Sequence, residues 1–161
     1  MSLKFERLES GYRLTCELLL THPRDALFSF FADTTNLEKI TPDYLSFRVQ
    51  STCPTHMRKG TLIDYRLRLH HIPLRWRTEI AVWEPPFHFV DRQLSGPYRW
   101  WTHDHLFEET KDGTRVIDTI DYHIWLAPIV HPIFVRRDLK RIFDYRTQAL
   151  HALFGTTEVS T

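Results

Sequence analysis

Residues 61–126 repeat with a period of two, and residues 133–154 with a period near 3.6. That switch constrains the fold most, because side chains alternate across a strand but recur every three or four positions along a helix. Ile63, Tyr65, Leu67 and Leu69 alternate with Asp64, Arg66 and Arg68, and Trp76, Thr78, Ile80 and Val82 with Arg75, Arg77 and Glu79. Strands with one apolar and one charged face, joined by short turns, predict an antiparallel sheet that buries one side. The charged side reads as a solvated face with cross-strand ion pairs, each worth little. In the last segment Val135, Leu139, Ile142, Phe143, Ala149, Leu150 and Leu153 form one stripe. Arg136, Lys140, Arg141, Asp144, Thr147 and Gln148 fall off it, as in an amphipathic helix. Gly155 stands where a glycine ends a helix. The 22 residues of Ile133–Phe154 make a helix roughly 33 Å long, enough to cross a small sheet.

The remaining segments fill in the order. Residues 1–10 are polar and read as a loose tail or an edge strand. Residues 11–21 read as a first strand, 24–32 as a short buried helix, and Asp33-Thr34-Thr35-Asn36 as the cap of a second short helix ending at Thr41-Pro42. A short strand is expected over 44–49, then a loop over 51–60. Turns are expected at Ile72-Pro73, Pro85-Pro86, Ser95-Gly96-Pro97 and Lys111-Asp112-Gly113. The last strand, over 114–126, puts Val116, Asp118, Ile120 and Tyr122 on one face. The expected fold class is α+β, a curved antiparallel sheet of about six to seven strands wrapped around the long C-terminal helix. Two short helices follow the first strand, and residues 1–161, the length of one ordinary domain, form a single ligand-binding unit.

Composition narrows the function classes. A net charge of +1 gives no field for nucleic acid, and Arg136, Arg137, Lys140 and Arg141 are spaced as the solvated side of one helix. Cys16 and Cys53 have no metal spacing and no disulfide framework, and Cys16 reads as a small core residue. Leu18-Leu19-Leu20 is too short to span a membrane, and no apolar run resembles a signal peptide, so a cytoplasmic location is expected. With 5 glycines there is no phosphate-cradling loop, and no serine or cysteine sits in a nucleophile motif. Eleven Phe, 6 Tyr and 5 Trp require either a dense aromatic core or an aromatic-lined pocket.

The hairpin Trp83–Glu109 points to the pocket. Alternation groups Phe87, Phe89, Asp91 and Gln93 on one strand, and Trp101, His103, His105 and Phe107 on the next. The opposite parity would bury Asp104 with no basic neighbour on its face, which costs several kcal/mol or the charge. Rings interspersed with a carboxylate, an amide and two imidazoles form the kind of wall that orients a small molecule. His103 and His105 with Asp91 or Asp118 match a metal-ligand set in type. They equally match hydrogen-bonded wall residues oriented by Asp91, Gln93 or Asp118. No other spacing supports a metal, and neither a metal nor any other cofactor is expected.

The element order resembles the helix-grip fold of the START, birch-pollen-allergen and polyketide-cyclase superfamily, SRPBCC, over nearly the whole chain. Several strings are similar to bacterial cyclase/dehydrase-like members. They are Asp64-Tyr65, Ile72-Pro73-Leu74-Arg75-Trp76, Trp83-Glu84-Pro85-Pro86, Phe89-Val90-Asp91, Gly96-Pro97-Tyr98, and Trp101 with His103 and His105. The resemblance implies a gap between sheet and helix that takes a ligand, and metal centres are not typical of it. The expected partner is a small hydrophobic or aromatic metabolite, lipid-like or polyketide-like. Phe89, Asp91, Gln93, Trp101, His103, His105, Phe107, Val116, Asp118, Ile120, Tyr122 and Phe143 are its candidate contacts. The alternative is a cyclase or dehydratase in which His103, His105, Asp91 and Tyr122 move protons and polarise a carbonyl. A third reading is a protein-interaction subunit with an apolar patch around Trp100. The sequence leaves oligomeric state open, a homodimer included.

Overall fold

The computed structural model describes residues 2–51, 57–125 and 131–155. Its strands are β1 (Ser2–Leu8), β2 (Gly11–Leu20), β3 (Arg48–Val49), β4 (Leu62–Leu69), β5 (Ile72–Glu84), β6 (His88–Ser95), β7 (Trp100–Thr110) and β8 (Gly113–His123). Helix α1 (Arg24–Ala32) follows β2, and α2 (Arg136–Phe154) follows a wide π-type turn at His131–Val135. The strands form one antiparallel sheet in the order β1-β2-β8-β7-β6-β5-β4-β3. This is an α+β helix-grip fold with eight strands where about six to seven were expected. The additional strand is β1, residues 2–8, which pair with β2 at one edge where a loose tail or an edge strand was expected; Arg48–Val49 pair with β4 at the other edge.

Local chemistry explains most element ends. Asp33 caps the 3₁₀ helix Thr34–Ile40, its carboxylate accepting from the Thr35 amide at 2.9 Å. Gly113 opens β8 at φ +136°, where a Cβ would strike the Leu20 carbonyl oxygen, so only glycine fits. The turn between β4 and β5 is His70-His71 rather than Ile72-Pro73, with both histidines at positive φ (49° and 66°), the pattern that matches strand twist in a two-residue hairpin. Both are exposed, and His70 reaches Asp138 of α2 at 2.7 Å. Residues 43–45 form a further 3₁₀ turn, which leaves only Arg48–Val49 of the strand expected over 44–49.

One irregularity changes which side chains face inward. The register of β5 against β6 shifts between Ile80 and Val82, so Ile80 opposes Asp91 and Trp83 opposes Phe89. The bulge at Ala81 therefore turns Val82 outward and Trp83 inward, against a strict alternation. On the outer face Asp64 accepts two hydrogen bonds from Arg77, at 2.7 and 3.0 Å, and Glu79 accepts one from Arg92 at 2.9 Å.

The concave face has two unlike halves. Over β2, β8 and β7 the inner residues are buried: Leu14, Leu18 and Leu20, Val116 and Ile120, Trp101 and Phe107. Leu27, Phe28 and Phe31 of α1 and Leu139, Phe143 and Leu150 of α2 complete that core. Each such side chain contributes about 1.5–3 kcal/mol on burial. The stripe on α2 is shifted from the expected one: Asp138 and Thr147 are buried, and Leu153, on its flank in the last turn, is 48% exposed. At the hairpin end of β4 and β5 the inner residues Tyr65, Leu67, Leu69, Leu74 and Trp76 are only partly buried, whereas Ile63, Thr78 and Ile80 at the other end are buried. Above β4 the packing comes from the short turn Asp43–Leu45, whereas α2 packs on β2 and α1 on β7 and β8.

Candidate functional site: a histidine–aspartate cluster bordering a hollow

The uncovered half of the sheet encloses a hollow of about 210 Å³. Its walls are Ile63, Tyr65, Leu67 and Leu69 from β4, Leu74, Trp76, Thr78, Ile80 and Trp83 from β5, and Leu139, Ile142, Phe143 and Arg146 from α2. Phe31 and Ala32 of α1 and Leu37 of the 3₁₀ helix close one end. Phe89 and Asp91 of β6, Trp101, His103 and His105 of β7, and Ile120 of β8 border it. Seven of the candidate contacts thus meet here: these six and Phe143.

Five candidates lie elsewhere. Gln93 donates to the Tyr98 carbonyl at 2.8 Å and braces the β6–β7 turn instead of orienting a histidine. Phe107 and Val116 are core residues under α1 and do not border the hollow. Asp118 lies behind the histidines, 1% exposed. Tyr122 is fully buried and shares a 2.8 Å hydrogen bond with His131 Nε2, away from the pair. Phe87, expected on the same face as Phe89, precedes β6 and is 50% exposed.

Register builds the polar cluster. Across β6 and β7, Asp91 opposes His103; across β7 and β8, His105 opposes Asp118. The two imidazoles therefore lie between two carboxylates. His105 Nε2 donates to Asp91 Oδ2 at 3.1 Å, and His103 Nε2 donates to Asp118 Oδ1 at 3.2 Å. The remaining nitrogens complete the square, His103 Nδ1 standing 3.7 Å from Asp91 Oδ2 and His105 Nδ1 standing 2.7 Å from Asp118 Oδ1. That last contact is too bent for a hydrogen bond. His103 and His105 are 7% and 4% exposed, whereas Asp104 faces outward with 43% of its side chain exposed and accepts from His88. Phe89 stacks on His105 with centroids 4.1 Å apart, and Trp101 meets His103 edge-on, so both rings are held in orientation.

Sequence reasoning missed Arg146. It sits on α2 one turn from Phe143, its guanidinium over the Phe31 and Phe143 rings and its Nε 3.6 Å from Asp118 Oδ2. Position i+3 from one apolar residue and i−4 from Leu150 was the available signal, since such positions share a helix face. Its charge decides the state of the cluster. Burial alone would raise the Asp118 carboxyl, but Arg146, the hydrogen bond from His103 and the adjacent His105 imidazole hold it well below the usual carboxylate range. Burial, then the neighbouring His105, pushes His103 down. For His105 burial also acts downward, but Asp118 and then Asp91 outweigh it and hold the imidazole above its ordinary value. The cluster thus pairs one imidazole that favours neutrality with one that favours charge, a pairing suited to proton transfer or to orienting a polar group.

Comparison with known proteins supplies a fold. No family model matches the chain, and no curated protein matches it. Among solved structures, Ms6760 from Mycobacterium smegmatis is 18% identical with a TM-score of 0.69, over 95% of this chain and 96% of that one. Ara h 8.0201 is 15% identical (TM-score 0.62; 88% and 95% covered), and ginseng major latex-like protein 151 from Panax ginseng is 11% identical (TM-score 0.65; 88% and 96% covered). The class so defined is an architecture, an α+β helix-grip fold, as the element order implied. At these identities the likeness is one of architecture, and the chemistry rests on this chain's own residues. Among the described residues, no helix is long and apolar enough to cross a membrane.

Proposed function

We propose that the protein binds one small, largely apolar molecule in the hollow, its polar end turned to Asp91, His103 and His105. The observation that carries this reading is the uncovered inner face of β4 and β5. Tyr65, Leu67, Leu69, Leu74 and Trp76 point inward and stay only partly buried, next to a polar group set that is almost fully desolvated. Removing that face from water contributes about 25 cal/mol per Å² of apolar area. Asp91 as acceptor and the imidazoles as donors then select a hydroxyl, phenol or carbonyl at one end. Aromatic or polyketide-like metabolites and short lipids have this form. The test is incubation of the purified protein with an organic extract of its host, gel filtration, and mass spectrometry of what denaturation releases. Wild type is expected to carry one class of small molecule that Leu67→Trp, with its hollow filled, does not. Equal recovery from both, or none from either, counts against the site.

The same cluster favours a second reading, acid–base catalysis of the cyclase or dehydratase type with His103, His105 and Asp91 as proton carriers. Tyr122 does not border the hollow and takes no part in it. His105→Ala separates the readings: a binder loses modest affinity, whereas an enzyme loses most of its rate at unchanged affinity.

A further inference from the structure

We propose that Asp91, His103 and His105 form a binding site for one divalent transition-metal ion, zinc or ferrous iron by ligand chemistry. A His-x-His pair alone carries no such expectation; the strand register supplies what the pair lacks. One ligand atom from each of the three residues lies within 4.8 Å of the other two. Asp91 Oδ2 stands 3.1 Å from His105 Nε2 and 3.7 Å from His103 Nδ1. An ion with bonds of about 2.0–2.2 Å holds neighbouring ligand atoms about 3.0–3.5 Å apart, so the Asp91–His105 pair already fits, the Asp91–His103 pair closes by a few tenths of an ångström, and the third pair, between the imidazoles, lies within 4.8 Å.

The surroundings point the same way. The opposite nitrogen of each imidazole, His103 Nε2 and His105 Nδ1, faces Asp118 Oδ1. A carboxylate behind the ring fixes the tautomer of a metal-bound histidine: for His103 the hydrogen bond from Nε2 to Asp118 leaves Nδ1 free to ligate, whereas on His105 the metal would displace the proton that Nε2 shares with Asp91. Asp118 does not border the hollow, so it serves as that support and not as a ligand. Asp91, His103 and His105 all border the hollow, so the remaining coordination positions open into it. Two imidazoles and one carboxylate with open positions suit ferrous iron or a zinc site of the substrate-accessible type. The proposal deepens the binding reading by naming what meets the polar end of the molecule, yet the sheet assembles the three ligands whatever fills the hollow.

The test treats the purified full chain with EDTA, removes the chelator, and titrates with Co²⁺ followed by visible absorption and with Zn²⁺ followed by calorimetry. Binding of the fluorescent apolar probe 8-anilinonaphthalene-1-sulfonate is measured in parallel. One equivalent of metal is expected, weakened about a hundredfold or more in Asp91→Asn and His105→Gln, and about 10–100-fold in Asp118→Asn. Near-ultraviolet circular dichroism checks that each variant is folded. Asp91 is the most exposed member, so Asp91→Asn keeps the comparison available if a buried substitution unfolds the chain. Absence of saturable one-to-one binding by wild type overturns the proposal. So does equal affinity in Asp91→Asn, which would place the ion on other histidines. Probe binding without metal binding removes the metal site alone; metal binding without probe binding removes the apolar reading alone.

Discussion

The two halves of the concave face are written in the same alternating pattern and do different work. On β2, β7 and β8 the inward residues lie beneath α1 and α2 and are almost wholly buried. At the hairpin end of β4 and β5 equally apolar residues stay partly accessible. Period-2 alternation sets which side chains face inward; burial depends on what is packed above, and that is decided by where the helices cross. The closed half carries stability, and the open half is free to carry function. The polar cluster stands on the seam, supported from the closed side by Asp118 and Arg146 and opening through Asp91 to the other.

The largest expected contrast is chemical. Burial, with the charge of Asp118, pushes the Cys16 thiol up to about 12. In a Cys53→Ser background, iodoacetamide at pH 8 should therefore label Cys16 more than about a thousandfold slower than a free thiol, because only the thiolate reacts. Fast labelling of the folded protein would show that the closed half is open on that timescale. Next, Asp118→Ala should cost about 3–5 kcal/mol in urea unfolding, since it leaves Arg146 without its buried counter-charge. A loss below about 1 kcal/mol would mean that the cluster is wetter than its burial shows. Leu14→Ala, in the closed half, should cost about 2–5 kcal/mol, whereas Leu67→Ala, beside the hollow, should cost less than about 1 kcal/mol and weaken ligand binding instead. Equal costs would erase the distinction between the halves. Smallest of all, Asp64→Asn should leave the unfolding midpoint unchanged, because its pairing with Arg77 lies in solvent.

Much of the architecture was legible in the sequence for a physical reason. Alternation and the 3.6-residue stripe report directly on strands and a helix, and Asp33 and Gly113 mark their own turns. The inward parity of His103 and His105 followed from the cost of burying Asp104. What failed to show depended on partners far along the chain. The bulge at Ala81, which brings Trp83 inward, has no local signature. Asp91 and Asp118 had the right residue types, but only the registers of β6–β7 and β7–β8 bring both to the same two histidines. Arg146 reads as one more polar residue on a helix until Asp118 is found beneath it. Tyr122 shares a face with Asp118 and Ile120 in sequence, yet its hydroxyl is engaged by His131, distant from the pair. Residues 52–56, half of the loop expected over 51–60, like the chain end beyond 155, lie outside the described residues.

The central claim is that the open half binds a small apolar molecule, and its most direct test is titration of wild type and Leu67→Trp with 8-anilinonaphthalene-1-sulfonate. Fluorescence should saturate at one probe per chain for wild type. Leu67→Trp, with unchanged urea midpoint, should bind at least about tenfold more weakly, a loss of about 1.4 kcal/mol. Identical binding by the two proteins, or no saturable binding by wild type, would contradict it.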